Sequence, residues 1–133
     1  MKAYFVLITL IVGLSLILTA CGGGASTKID VALDDFSYTP DQFEVAAGKD
    51  IMVTVTNKGK EKHEFVIFKQ GLNAGDKFGP EDEDNIYWEV EADPGTTKTE
   101  TFTAPAQAGV YYVTCGLEEH MEKGMSGYVI VKK

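Results

Sequence analysis

The chain has 133 residues, 44% of them apolar, with seven Phe, six Tyr and one Trp, which suffices for one domain with a real core. The formal net charge is -8, from 20 acidic and 12 basic residues, and every basic residue is a lysine. That balance excludes a nucleic-acid binder, which needs a basic face, and favours electrostatic steering toward a basic protein partner.

In chain order, Met1-Lys2 supplies a short positive end. An apolar run follows from Ala3 to Ala20, interrupted only by Thr9, Gly13, Ser15 and Thr19. Such a run suits a membrane-spanning helix or a secretory signal. Leu18-Thr19-Ala20-Cys21 resembles the bacterial lipoprotein signal, whose cysteine is lipidated and becomes the mature N-terminus. Residues 1–20 are therefore expected to be a signal peptide, and residues 21–27 a flexible tether lipidated at Cys21. Residues 28–133 are expected to form the folded domain. An uncleaved signal anchor is the competing reading. Either way the domain sits outside the cytoplasm, anchored to a bacterial membrane on its periplasmic or outer face.

Beyond the tether the pattern is that of strands. Ile29, Val31 and Leu33 alternate with Asp30, Ala32 and Asp34, which predicts a half-buried strand over 28–35. Residues 35–41 carry turn chemistry around Pro40. Further strands are predicted over 42–46, 51–56, 63–68, 86–91, 97–103, 110–115 and 127–131, separated by turns such as Asn57-Lys58-Gly59-Lys60 and Asp93-Pro94-Gly95. Residues 69–85 break the rhythm and include the acidic run Glu81-Asp82-Glu83-Asp84, read first as a solvated insertion and second as a docking patch. No segment has the period of a substantial amphipathic helix. The expectation is an all-β, antiparallel Greek-key β-sandwich of seven or eight strands.

Chemistry concentrates near the end. Cys115, His120 and Met125 stand in the spacing Cys-x4-His-x4-Met on a polar, Gly-bearing loop. With Cys21 committed to lipid, Cys115 is the one thiol left in an oxidising compartment, where it must be buried, reactive or bound. Thiolate, imidazole and thioether are soft or borderline donors that suit copper over calcium, magnesium or manganese. The only other histidine, His63, would complete a two-His, one-Cys site with a weak axial Met.

These residues make the chain resemble the cupredoxin (blue copper) family, which includes plastocyanin, azurin, rusticyanin and auracyanin. The resemblance covers roughly residues 28 to 133. It rests on Asn57-Lys58-Gly59 leading to His63-Glu64-Phe65, on Cys115-x4-His120-x4-Met125, and on the Gly-Val-Tyr-Tyr-Val-Thr strand entering Cys115. It implies one mononuclear type 1 copper bound by His63, Cys115, His120 and Met125. Met121, adjacent to His120, is expected to point elsewhere and to form an apolar rim with Leu117. Asn57 and Glu64 are candidate partners of the ligand loop, and backbone N–H groups are candidate donors to the Cys115 sulfur. Tyr87, Trp88, Tyr111 and Tyr112 read as core rather than as an electron path.

The resemblance implies a monomeric, membrane-tethered carrier of single electrons, exchanging them through the edge of His120 with redox proteins such as cytochromes or terminal oxidase components. Enzyme readings are disfavoured. Thr114 stands where multicopper oxidases and copper nitrite reductases place a His, and a dinuclear copper site needs a second loop cysteine. The alternatives are a copper-binding lipoprotein for Cu(I) delivery or tolerance, and a metal-free sandwich for adhesion or assembly.

Overall fold

The computed structural model describes residues 24–133; the expected signal peptide and the lipidation site Cys21 lie outside the described residues. Nine strands form two facing sheets: β1 (Lys28–Asp34), β2 (Ser37–Thr39), β3 (Gln42–Ala46), β4 (Asp50–Asn57), β5 (His63–Phe68), β6 (Ile86–Ala92), β7 (Thr97–Thr103), β8 (Gly109–Thr114) and β9 (Ser126–Lys132). One sheet has the order β2-β1-β4-β7 and the other β3-β9-β8-β5-β6. Most neighbours are antiparallel, while β1 runs parallel to β4 and β3 parallel to β9. The all-β sandwich is as expected, and the strand count among the described residues is nine. The added strand is Ser37–Thr39, which the proline-bearing composition disguises as turn. Tyr38 explains it: the ring is buried and its hydroxyl donates to Glu64 O across the sandwich at 2.6 Å.

Alternation builds the core. Ile29, Val31 and Leu33 from β1 and Ile51, Val53 and Val55 from β4 face Phe43, Phe65, Val129 and Val131 of the opposing sheet. Tyr38 and Phe43 both meet Phe65 edge-on, at 5.4 and 5.5 Å between centroids, and Trp88 stacks on Phe102 at 4.9 Å. Aromatic pairs of this kind add about 0.5–1.5 kcal/mol each beyond area burial. Strand β5 differs from the rest, since Val66 and Phe68 on its outer face are buried as well. They form a second cluster with Ala74 and Met121, packed against by Phe78, Ile86 and Tyr112.

The irregular 69–85 stretch therefore covers the outside of β5 rather than standing free in water. Its acidic run lies in a 3-10 turn, Pro80–Asn85. Asp82 is buried there and accepts the Gly79 N–H at 2.9 Å, whereas Glu81, Glu83 and Asp84 face solvent. At the other end, Ser26 already bridges to Val45, and Thr27 O accepts from Met52 N–H. Ordered pairing thus begins two residues ahead of Lys28.

Candidate metal centre

Strand register brings the donors together. β5 starts at His63 and β8 stops at Thr114, and the two are antiparallel neighbours with Val66 opposite Thr114. His63 and Cys115 therefore arrive at the same end of the sandwich. After Cys115 the chain folds back on itself. Cys115 N–H donates to Met125 O at 3.2 Å, Met125 N–H to His120 O at 3.1 Å, and Gly124 N–H to Met121 O at 2.8 Å. Gly124 turns the corner at φ 105, where a side chain would be strained.

The result is a closed cluster. One donor atom each from His63, Cys115 and His120 lies within 4.8 Å of the others, and all three residues are buried. His63 Nδ1 and His120 Nδ1 are 3.2 Å apart, and Cys115 Sγ is 3.4 Å from His120 Nδ1. Three donors at metal bond lengths of about 2.0–2.3 Å around a shared centre would stand about 3.5 Å apart. Met125 is fully buried in the same core cluster as Cys115, held beside it by the backbone bonds above.

The outward nitrogens explain the orientation. His63 Nε2 lies 3.2 Å from Asp35 Oδ1, and His120 Nε2 lies 2.9 Å from Glu61 Oε2. A carboxylate only accepts, so each Nε2 carries its proton and each Nδ1 turns a lone pair inward. Two inward lone pairs and a sulfur at these separations repel one another unless a cation or proton lies between them. The donor set therefore fits a metal, and its softness fits copper.

Burial pushes the Cys115 thiol from 9.0 up to about 11, against the pull of backbone N–H groups from Leu117 and Glu64. The Glu64 N–H reaches the sulfur at 3.4 Å, which meets the expectation that backbone amides donate to it. Desolvation also raises the Glu64 carboxyl, helped by Glu89 and Glu91, while the Gly116 N–H pulls it down. Glu64 therefore lies against the ligand loop at Gly116, which leaves it room: a Cβ there would come within 2.7 Å of Oε2. Asp35 is lowered, chiefly by the Lys60 N–H.

Other expectations are corrected. Asn57 does not bond the ligand loop; its Nδ2 donates to Glu61 O and Ala92 O, both at 2.8 Å, and its Oδ1 accepts Gly59 N–H at 2.9 Å. It braces the arm that carries His63. Met121 does point away from the donors, but into the outer cluster with Phe68, so it forms no rim with Leu117, which packs on the main core. The reason is the turn between His120 and Gly124, which sends adjacent side chains to opposite sides of β5. His120 is only 4% exposed, its edge covered by Glu61 and by Phe36, which meets the ring at 5.1 Å and 86°. Asp35, Phe36, Tyr38, Gly59 and Glu61 were invisible as site residues. In sequence they are ordinary turn and surface residues, and only the Asn-Lys-Gly turn hinted at a constrained arm.

The model of the family described as a cupredoxin-like domain matches residues 6–131. The chain belongs to the cupredoxin-like family. This cupredoxin is similar to auracyanin from the photosynthetic bacterium Roseiflexus castenholzii, solved in its Na-dithionite-reduced form. The two are 34% identical, the match covers 83% of this chain and all of that one, and the TM-score is 0.70. Auracyanin A of the green thermophilic photosynthetic bacterium Chloroflexus aurantiacus, described as a "blue" copper protein, is 26% identical over 79% of this chain and 98% of its own, with a TM-score of 0.65. The multicopper oxidase mgLAC shares the fold at 18% identity and a TM-score of 0.56, the match covering 79% of this chain and 38% of the oxidase. No curated protein matches the sequence. The cofactor of this cupredoxin is one type 1 copper, and His63, Cys115 and His120 form the matching donor group.

Proposed function

We propose that the protein carries single electrons between extracytoplasmic redox proteins, with His63, Cys115 and His120 as copper ligands and Met125 as weak axial ligand. One observation carries this reading: His63, Cys115 and Met125 are fully buried and His120 nearly so, which leaves no open position for a substrate. Copper, when bound, supplies a one-electron Cu(II)/Cu(I) couple. The chain's part is to hold the donors still. Cys115 is fixed by the Glu64 N–H and by its backbone bond to Met125 O, and the two imidazoles are fixed by carboxylates. Donors that do not move between oxidation states keep the reorganisation cost of transfer low.

The covered edge of His120 makes Phe36 and Glu61 the surface through which an electron would pass. The net charge of -8 favours a basic partner, a cytochrome or a terminal oxidase component. A lipid on Cys21 would tether the monomeric domain to the membrane outside the cytoplasm. The absence of a His before Cys115, where Thr114 stands, supports a carrier over an oxidase. Buried donors also oppose ready release of Cu(I) to an acceptor, which disfavours a delivery role.

Loading the purified domain with Cu(II) tests the reading. An intense visible absorption with the matching EPR signal is expected, lost in Cys115→Ser, with copper retained through repeated reduction and reoxidation. A colourless protein refutes the site, and copper lost at each reduction points to delivery instead.

A further inference from the structure

We propose that Asp35 and Glu61 are positioning residues that hold His63 and His120 with Nδ1 toward the metal and bias bound copper toward Cu(II). The proposal rests on the copper reading above. The two carboxylates form a continuous belt around the donor cluster. Asp35 Oδ1 faces His63 Nε2 at 3.2 Å and also accepts N–H groups of Lys60 at 2.8 Å and Glu61 at 3.4 Å. The Glu61 side chain then reaches His120 Nε2 at 2.9 Å. Each imidazole thus has one nitrogen on the cluster and the other on an anion, the arrangement that fixes ring tautomer and raises ligand basicity.

Two features show that this belt is built rather than incidental. At Gly59 a Cβ would fall on Asp35 Oδ1 and within 2.7 Å of His63 Nε2, so the contact occupies space that only glycine leaves. At Phe36 the backbone sits at φ 67, an uncommon conformation for a bulky residue. That turn aims Asp35 at His63 and Phe36 at His120, on either side of the same pair. Backbone outliers of this kind gather at functional sites.

The two anions are not equivalent. His63 is fully buried and the Asp35 side chain is one-third exposed, while the Glu61 side chain is 56% exposed. A negative charge near the metal favours the more positive oxidation state, and solvent weakens the effect. Asp35 therefore carries the larger share.

The test uses variants that separate charge from hydrogen bonding. In Asp35→Asn and Glu61→Gln an amide oxygen can still accept from Nε2–H, but the charge is gone. Both should raise the reduction potential with little change in colour, Asp35→Asn by more. A tenfold loss of preference for Cu(II) over Cu(I) reads as about 59 mV for one electron. Asp35→Ala removes the acceptor as well, and Cu(II) affinity should fall about 10–100-fold. In proton NMR of the diamagnetic Cu(I) form, two hydrogen-bonded imidazole N–H resonances are expected, one lost in Asp35→Ala and the other in Glu61→Ala. Equal potentials in wild type, both charge variants and the double variant would overturn the electrostatic role. Absence of the N–H resonances would overturn the positioning role. If the wild type forms no coloured copper centre, the copper reading fails separately, and the same resonances in the Zn(II)-loaded protein still decide the positioning.

Discussion

The two stretches that meet at the metal centre are held in opposite ways. The loop from Cys115 to Met125 is closed by its own backbone: Cys115 to Met125, Met125 to His120, Gly124 to Met121 and His120 to Leu117 are all main-chain hydrogen bonds. The arm from Asn57 to His63 has little such closure of its own. It is held by the Asn57 side chain and by Asp35, which comes from 28 residues upstream of His63. The first is closed by main-chain bonds between neighbours in sequence, whereas the second has only the local bonds of the Asn57 side chain and otherwise leans on Ala92 and Asp35, which the folded sandwich supplies. A loop of the first kind should tolerate changes around its ligands, and an arm of the second kind should fail when a single remote group is removed.

The sharpest break in that contrast is at the shared sulfur. Cys115→Ser should abolish the visible charge-transfer absorption entirely while circular dichroism stays that of the sandwich; colour retained in the variant would remove the thiolate from the site. Next is the brace. Asn57→Ala strips the buried Ala92 carbonyl and the part-buried Glu61 carbonyl and Gly59 N–H of their partner and should cost about 3 kcal/mol in urea unfolding, since each unsatisfied buried group costs about 1–3 kcal/mol. A loss under about 1 kcal/mol would mean that the arm is held elsewhere.

The thiol gives a pH test of the copper-free protein. Its folded value, about 11, lies above the ordinary 9.0, so burial of the neutral thiol stabilises the fold fully below pH 9. That stability is lost as pH rises through 11, by about 2–3 kcal/mol at 1.36 kcal/mol for each pKa unit. Unfolding midpoints of the copper-free form should therefore fall across pH 9–11. The copper-loaded form, whose thiol proton has already left, should not share that fall. Over the same range below 11, copper affinity should rise about tenfold with each unit of pH from this proton alone. Parallel profiles with and without copper would contradict a buried neutral thiol.

A smaller effect is expected at Gly59. Gly59→Ala pushes on Asp35 and His63, and its copper affinity should drop about tenfold, in the range seen for disturbed ligand partners. Smallest of all is the acidic turn. Neutralising Glu81, Glu83 and Asp84 should change stability by less than about 0.5 kcal/mol each, because they are exposed. Asp82→Asn should cost more, since Asp82 is buried on the Gly79 N–H.

Much of this was legible from residues alone. Period-two alternation in β1 and β4 is a direct signature of strands buried on one face, and eight of the nine strands among the described residues were legible from alternation or from branched and aromatic residues between turns. Ser37–Thr39 was not legible, because three residues beside a proline cannot show a period; antiparallel pairing with β1 makes it a strand, and the Tyr38 bond to Glu64 O anchors it across the sandwich. Met121 was misplaced for a related reason: adjacency to His120 says nothing of which side of β5 a side chain reaches.

The sequence by itself pointed to the sandwich and, through the resemblance it carries, to His63, Cys115, His120 and Met125 as candidate donors, because alternation and the spacing Cys-x4-His-x4-Met are local properties of the chain. The tertiary structure alone decided how the imidazoles are aimed. Asp35, Phe36 and Glu61 act through contacts across 25 to 84 residues of chain, and those contacts exist only once β1, β5 and the ligand loop have met.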